Sequence, residues 1–308
     1  MKNTLLAFAV ASWTSFVSVA GTGCPENVVG LSTATASAKI DLEGARITSF
    51  VSEGREVLWM PRVSGSAGGT NWVHGGIPLC WPRFGRSDSE TTLQHGFARL
   101  FRFSLVESSS TAARARALLE LRSDARTRAL WPHDFVLQIE VTLTDSLHLS
   151  MRTVNTGADA FVLTCGFHPY FRLGDRDRAY VTGTDGLAFC DSRVTREFGA
   201  PWKGHMKLLS SFDHVFVEKG STAAHSIVDP ALGRTIVGTS SGVSRLVVWN
   251  PGAEEPVSAN PGPGQLSLGD WRHLVCVEPA VLWKDAAVAV PPGGRHEISF
   301  EISTKVGF

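Results

Sequence analysis

The sequence is poor in cysteine, with five in 308 residues. Cys24, Cys80, Cys165, Cys190 and Cys276 make an odd set with no C-x-x-C pair. The spacing therefore indicates no zinc site, and nothing in the set requires an oxidising compartment. Cys80, Cys165 and Cys276 sit in apolar runs, where a free thiol acts as a small hydrophobe. Net charge is also missing, since 29 Lys and Arg balance 29 Asp and Glu. A nucleic-acid partner wants a basic face, so the expectation is no nucleic acid, although a local arginine cluster remains compatible with the balance. No stretch reaches membrane-spanning length, no long segment has helical period, and neither an internal repeat nor a linker is visible.

What remains is a globular composition, 43% hydrophobic and 19% charged, with 30 Gly and 15 Pro favouring many turns. The N-terminus, one Lys followed by an apolar stretch and Ser18-Val19-Ala20, reads as an export signal over residues 1–20. The mature chain is then expected to be periplasmic or secreted, and cytoplasmic if the signal reading fails. Gly21 stands where a lipidation signal at Cys24 wants Leu.

Strand signals dominate the rest. Leu137, Ile139, Val141 and Leu143 alternate with polar residues, Asp145-Ser146 reads as a turn, and Leu147, Leu149 and Met151 resume the alternation. Ala115 to Leu121 and Ile298 to Ile302 repeat the pattern. The expected fold is all-β, one large antiparallel β-sandwich over about residues 30–303. The Pro/Gly-rich piece 250–265 reads as a surface loop, since strand-like sequence continues on both sides.

Four stretches carry candidate chemistry. In "HGGIPLCWPRFG" (74–85), paired glycines and two prolines make a stiff loop, either a pocket wall or a structural crossover. In "LQHGFAR" (93–99), Arg99 either forks onto an anion or lies on the surface. In "CGFHPYFRLGD" (165–175), His168 is either a satisfied core imidazole or a proton donor. Gly166 shares its strand face and leaves room above the ring for a ligand. In "LVCVEPAVLW" (274–283), Glu278 interrupts an apolar run, so it pairs, neutralises or faces a polar cleft. Together, His168 and Glu278 form a candidate acid/base pair.

The stretches "HGGIPLCWPRFG", "LQHGFAR", "LWPHDF", "FHPYFRLGD", "VVWNP" and "VCVEPA" occur in this order from about Ile40 to Ile302. In order and spacing the chain resembles the glucose-6-phosphate 1-epimerase branch of the aldose 1-epimerases. The resemblance implies a one-domain galactose-mutarotase-like sandwich without metal or organic cofactor, acting on a small-molecule sugar or sugar phosphate; a monomer is expected. It implies Glu278 as the base on the C1 hydroxyl and His168 as the acid on the ring oxygen. It further implies His95 and Asp213 on sugar hydroxyls, Arg99 on the substrate phosphate, and Trp249 and Asn250 near the pocket. Three positions depart from the pattern. His74 stands where the family carries an Arg of the phosphate set, Arg83 where it carries an uncharged residue, and Pro169 where Thr is common. Arg83 is then either a replacement cation or an exposed side chain, and Arg172 a further cation near the cleft mouth. His74 and the signal-like N-terminus point towards a free or differently decorated aldose, and Arg99 towards a phosphorylated one. The rival readings are a non-catalytic carbohydrate-binding module and a lyase or hydrolase on a similar sandwich, the hydrolase with Asp213 and Glu278 as its carboxylates.

Overall fold

Period-two alternation commits a strand to one buried and one wetter face, and successive strands joined by tight turns pair with their neighbours. The computed structural model, which describes residues 27–62, 73–85, 93–254, 261 and 264–307, follows that rule. The expected hairpin is present as Phe135–Leu143 paired with Leu147–Asn155 in unbroken register. It sits near one edge of a nine-stranded antiparallel sheet that also contains Ala115–Arg122, Thr222–Asp229, Arg234–Ser241 and the long strand Arg295–Val306. A seven-stranded sheet runs in the order Phe189–Asp191, Phe212–Val217, Arg245–Asn250, Leu274–Val281, Cys165–Phe167 and Leu79–Cys80, with Tyr170–Arg172 added beside Leu274–Val281. A four-stranded sheet, Val28 to Glu56, flanks them.

The core lies between the two large sheets. Leu137, Ile139, Met151, Ile298 and Phe300 from one meet Phe167, Phe171, Phe216, Leu246, Val248 and Val277 from the other. Fully buried Trp81 ties the stiff 74–85 loop into this core. Its indole N–H donates to Thr153 Oγ1 at 2.8 Å, and its rings contact Phe97, Trp131 and Phe135. Cys80, one residue earlier, points to the other face, so the loop is both edge strand and wall.

Among the described residues helix is confined to short turns. The α-helix Ala125–Leu130 is capped by Asp124, whose side chain accepts from the backbone N–H groups of Arg126 and Thr127 while Thr127 Oγ1 accepts the Asp124 N–H. Among the described residues no helix is long and apolar enough to cross a membrane. The export signal, Cys24 and residues 255–260 and 262–263 of the 250–265 loop lie outside the described residues.

Gly76 shows why this loop needs glycine. It holds φ +68, and a Cβ there would stand 2.1 Å from the Ile47 carbonyl oxygen, which accepts the Ile77 N–H. Neither atom belongs to a flexible side chain. Gly76→Ala is expected to cost more than ~2 kcal/mol, read as a lowered thermal midpoint, whereas Gly54→Ala, with open space at its Cβ, costs less.

Candidate active site

The strand Leu274–Val281 organises the site. Towards one end it pairs with Cys165–Phe167, placing Gly166 opposite Ala280. Towards the other it pairs with Tyr170–Arg172, placing Tyr170 opposite Cys276. The register is the same on both sides of the interruption, so position 168 faces position 278 across it. Pro169 and Pro279 both fall in this unpaired interval, and neither has an N–H to contribute to a ladder. The chain opens locally, and the His168 N–H turns to the Pro78 carbonyl at 3.1 Å.

Cross-strand partners share a face, so register determines what surrounds the pair. One row is Asp213, Trp249, Cys276 and Tyr170, and the next is Val215, Val247, Glu278 and, across the gap, His168. This face points away from the sheet-to-sheet core. Tyr170 stacks on His168 at 4.9 Å and 12°, and Phe84 lies parallel to it from 6.3 Å. His95 and Trp249 present edges at 5.3 and 6.3 Å.

His168 Nε2 stands 3.4 Å from Glu278 Oε2, with 8% and 1% of the side chains exposed. The contact is too poorly aligned for a hydrogen bond, and among the described residues neither Glu278 oxygen has a hydrogen-bond partner. Burial first, and the Asp213 charge second, push the Glu278 carboxyl well above its usual range. Burial, followed by the His95 and His74 charges, holds the His168 imidazole well below its own. The apo site thus favours a neutral pair. Moving one proton from carboxyl to imidazole converts it to carboxylate and imidazolium without changing the proton count.

The other expected residues surround this pair unequally. His95 is buried at φ +58, a left-handed backbone conformation rare for a residue with a side chain. The Gly85 N–H donates to its Nδ1 at 3.3 Å, so the neutral ring carries its proton on Nε2. Asp213 lies half-buried on the site face, where Ser192 Oγ donates to it; burial raises its carboxyl. Arg99 is half-buried, with its guanidinium Nη2 at 3.4 Å from the Gln94 carbonyl, and desolvation lowers its pKa. His74 sits at the Tyr170 edge, ring centroids 5.9 Å apart, and donates from Nδ1 to the Gly264 carbonyl at 3.1 Å. Burial lowers its pKa, so this ring favours the neutral form. Arg83 is half-buried between Pro82 and Phe84, and Arg172 is exposed at the far end of the site face.

Two sequence expectations need correction. The space left by Gly166 is not open to a ligand. A Cβ there would meet Phe84 Cδ2 at 2.7 Å and Ala280 Cβ at 2.9 Å, so the glycine admits the Phe84 ring. Asn250 does not line the site. It lies 1% exposed on the opposite face, donating to the Trp271 and Leu274 carbonyls and accepting from Arg176 and Gly252. All its bonds go to fixing loops, which is a structural role.

Sequence reading missed Tyr170, Phe84, Cys276 and Ser192. Tyr170 and Cys276 had a usable signal, since each lies two residues along a strand from a residue already singled out and therefore shares its face. Phe84 had a partial signal, since it lies in the 74–85 stretch read as a pocket wall or a crossover; Ser192 had none, because only its loop path brings it in.

The comparisons with known proteins identify the family and the fold. A family model described as aldose 1-epimerase matches residues 28–303. The chain belongs to the aldose 1-epimerase family, a family of isomerases. A protein of Cenchrus ciliaris named "Putative glucose-6-phosphate 1-epimerase" is 29% identical over 278 residues, 87% of this chain and 81% of that one. A Salmonella typhimurium protein of the same name is 29% identical over 242 residues, 78% of each chain. Among solved structures, a Salmonella typhimurium protein described as a "putative mutarotase" superposes with TM-score 0.79 at 25% identity, covering 91% of this chain and 90% of that one. Galactose 1-epimerase from Lactobacillus acidophilus, at 12% identity and TM-score 0.70, covers 91% of this chain and 95% of that one, and shares the fold. The sandwich is therefore galactose-mutarotase-like.

The raised Glu278 carboxyl has a measurable consequence. Above its ordinary value of 4.5 this group binds more protons folded than unfolded. Its contribution to stability is therefore full below that pH and lost as pH rises through the folded-state value. Glu278→Gln removes the loss. Its thermal midpoint relative to the wild type should climb from pH 5 towards pH 8, as followed by calorimetry across that range; a relative midpoint that stays level or falls with pH would contradict the assignment.

Proposed function

We propose that the protein is a hexose 1-epimerase that interconverts the α and β anomers of glucose 6-phosphate, with Glu278 as base and His168 as acid. The observation that carries this reading is the meeting of the two buried side chains across the proline gap at 3.4 Å, with no hydrogen-bond partner for the Glu278 oxygens among the described residues. Glu278, as carboxylate, takes the proton of the C1 hydroxyl while His168, as imidazolium, gives one to the ring oxygen. The C1–O5 bond breaks, the aldehyde forms, and rotation about C1–C2 presents its other face. Closure runs the two transfers backwards and returns both residues to their starting state. Because removal and delivery are concerted, no free alkoxide has to form in a low-dielectric site.

Substrate binding also resolves the electrostatic difficulty of the apo site. A carboxylate with no donors is unfavourable there, and the sugar hydroxyls supply donors as the proton moves to His168. His95, with its proton on Nε2, and Asp213, held by Ser192, are placed to fix further hydroxyls. The half-buried Arg99 is the cation for the phosphate, with Arg83 beside Phe84 as a second. One observation favours a second reading, an epimerase for an uncharged aldose. His74 is a neutral donor to Gly264 and offers no charge to a phosphate.

Anomer exchange measured by NMR tests both. Wild-type protein should accelerate exchange of glucose 6-phosphate more than of glucose or galactose at equal concentration. The opposite preference would select the uncharged-sugar reading, and no acceleration of any of the three would leave a carbohydrate-binding module. Glu278→Gln should lower the rate by roughly 10²–10⁴-fold or more with sugar affinity nearly intact; turnover like the wild type would remove Glu278 as the base. Arg99→Ala should raise KM for the sugar phosphate roughly 10–100-fold, the equivalent of ~1.5–3 kcal/mol for a lost charge-assisted contact, and barely change values for free sugars. Equal losses on both would remove Arg99 as the phosphate ligand.

A further inference from the structure

Beside the acid/base pair lies a thiol that the proposed chemistry does not use. Cys276 and Glu278 are two residues apart on one strand, so their side chains stand next to each other on the site face. His168 reaches the same point from the facing strand. His168 nitrogen, Cys276 Sγ and a Glu278 oxygen all lie within 4.8 Å of one another, and all three residues are buried. We propose that this cluster binds a divalent cation of intermediate softness, Zn²⁺ foremost, through His168 Nε2, Cys276 Sγ and one Glu278 carboxylate oxygen, and that occupancy stops turnover.

Donor type, charge and spacing support the assignment. Thiolate, imidazole and carboxylate together suit Zn²⁺, whereas Mg²⁺ and Ca²⁺ prefer all-oxygen sets. The dication with one thiolate and one carboxylate forms a neutral unit, which suits a site that disfavours isolated charge. Binding releases the thiol proton and the Glu278 carboxyl proton, and gives a ligand to a carboxylate that has no hydrogen-bond partner among the described residues. At ordinary Zn–N, Zn–S and Zn–O lengths, ligand atoms of a tetrahedral ion stand roughly 3.4–3.6 Å apart. The His168–Glu278 separation of 3.4 Å already meets that, and the Cys276 sulfur, within 4.8 Å of both, has the remaining distance to close. Three protein ligands leave a fourth position open for water or a sugar hydroxyl.

The inhibitory half rests on the acid/base reading above, because the ion holds the nitrogen and carboxylate that the reaction must protonate and deprotonate. The binding half does not. The rival arrangement is centred on Cys80, whose sulfur lies 3.2 Å from His95 Nδ1.

Full-length protein freed of metal by chelation is titrated with Co²⁺ and followed by absorption. Anomer exchange is measured separately against Zn²⁺ and against Mg²⁺ at equal concentration. One Co²⁺ per chain is expected, with the intense visible bands of four-coordinate cobalt and a thiolate-to-cobalt charge-transfer band. Cys276→Ala should lose the charge-transfer band, and Cys80→Ala should keep it; Cys276→Ser is the second variant should the alanine fail to fold. Relative to each variant's own metal-free rate, Zn²⁺ should inhibit the wild type and Cys80→Ala. Its inhibition constant for Cys276→Ala should be weaker by more than the roughly 10–100-fold that losing an outer-shell partner costs. Mg²⁺ should leave turnover unchanged. A charge-transfer band absent from the wild type, or persisting in Cys276→Ala, overturns the site. A bound ion without inhibition overturns the inhibitory half. Metal-free protein without anomer exchange contradicts the acid/base reading, while the cobalt spectra still decide the metal site.

Discussion

Register across one interrupted ladder is the constraint on which the rest depends. The strand Leu274–Val281 holds two short partners, Cys165–Phe167 and Tyr170–Arg172, in one continuous alignment. The interval between them contains Pro169 and Pro279. A sheet normally uses such positions for hydrogen bonds, and here the proline rings remove the donors. The sheet therefore opens at one place without losing its alignment. His168 and Glu278 face each other there because a slip of a single residue would turn one of them to the other side of the sheet.

That opening lies on the one large face of the seven-stranded sheet that does not pack on the nine-stranded sheet. The opposite face carries the core, with Phe167, Phe216 and Val277, so the strand bearing Glu278 is pinned from behind. The site face combines aromatic walls with few charges. Tyr170 and Phe84 lie nearly parallel to the imidazole, and Trp249 meets it edge-on. Such walls exclude water, so each charged form is unfavourable until something compensates it. A sugar does so with hydroxyl donors. A dication of intermediate softness would do so with its charge, so that one arrangement would serve both the proposed proton transfer and its proposed blockade.

Around the pair, fixed hydrogen bonds set what each residue can offer. Gly85 makes His95 a donor at Nε2, and Gly264 makes His74 a donor at Nδ1. Of the cations expected at the phosphate, Arg99 is the one whose guanidinium is substantially desolvated, which favours an anionic partner over continued hydration. Substrate choice in this reading is set by peripheral groups, while the reaction is set at the gap.

By itself the sequence determined the all-β architecture, the hairpin at 135–155 and the candidate pair, because alternation and an acidic residue in an apolar run are local properties of the chain. It also placed Tyr170 and Cys276 within reach, since strand period fixes which residues share a face. Tertiary structure alone decided that Gly166 makes room for Phe84 and not for a ligand, because Phe84 arrives on a loop some eighty residues away in sequence. It decided that Asn250 fastens loops while its neighbour Trp249 meets the imidazole, since adjacent strand residues face opposite ways and only packing says which side is the site. It also turned an unremarkable C-x-E into part of a three-ligand cluster. Ligand spacing along a chain reports a metal site only when one local segment supplies several ligands, and here the imidazole comes from a facing strand more than a hundred residues earlier in the chain.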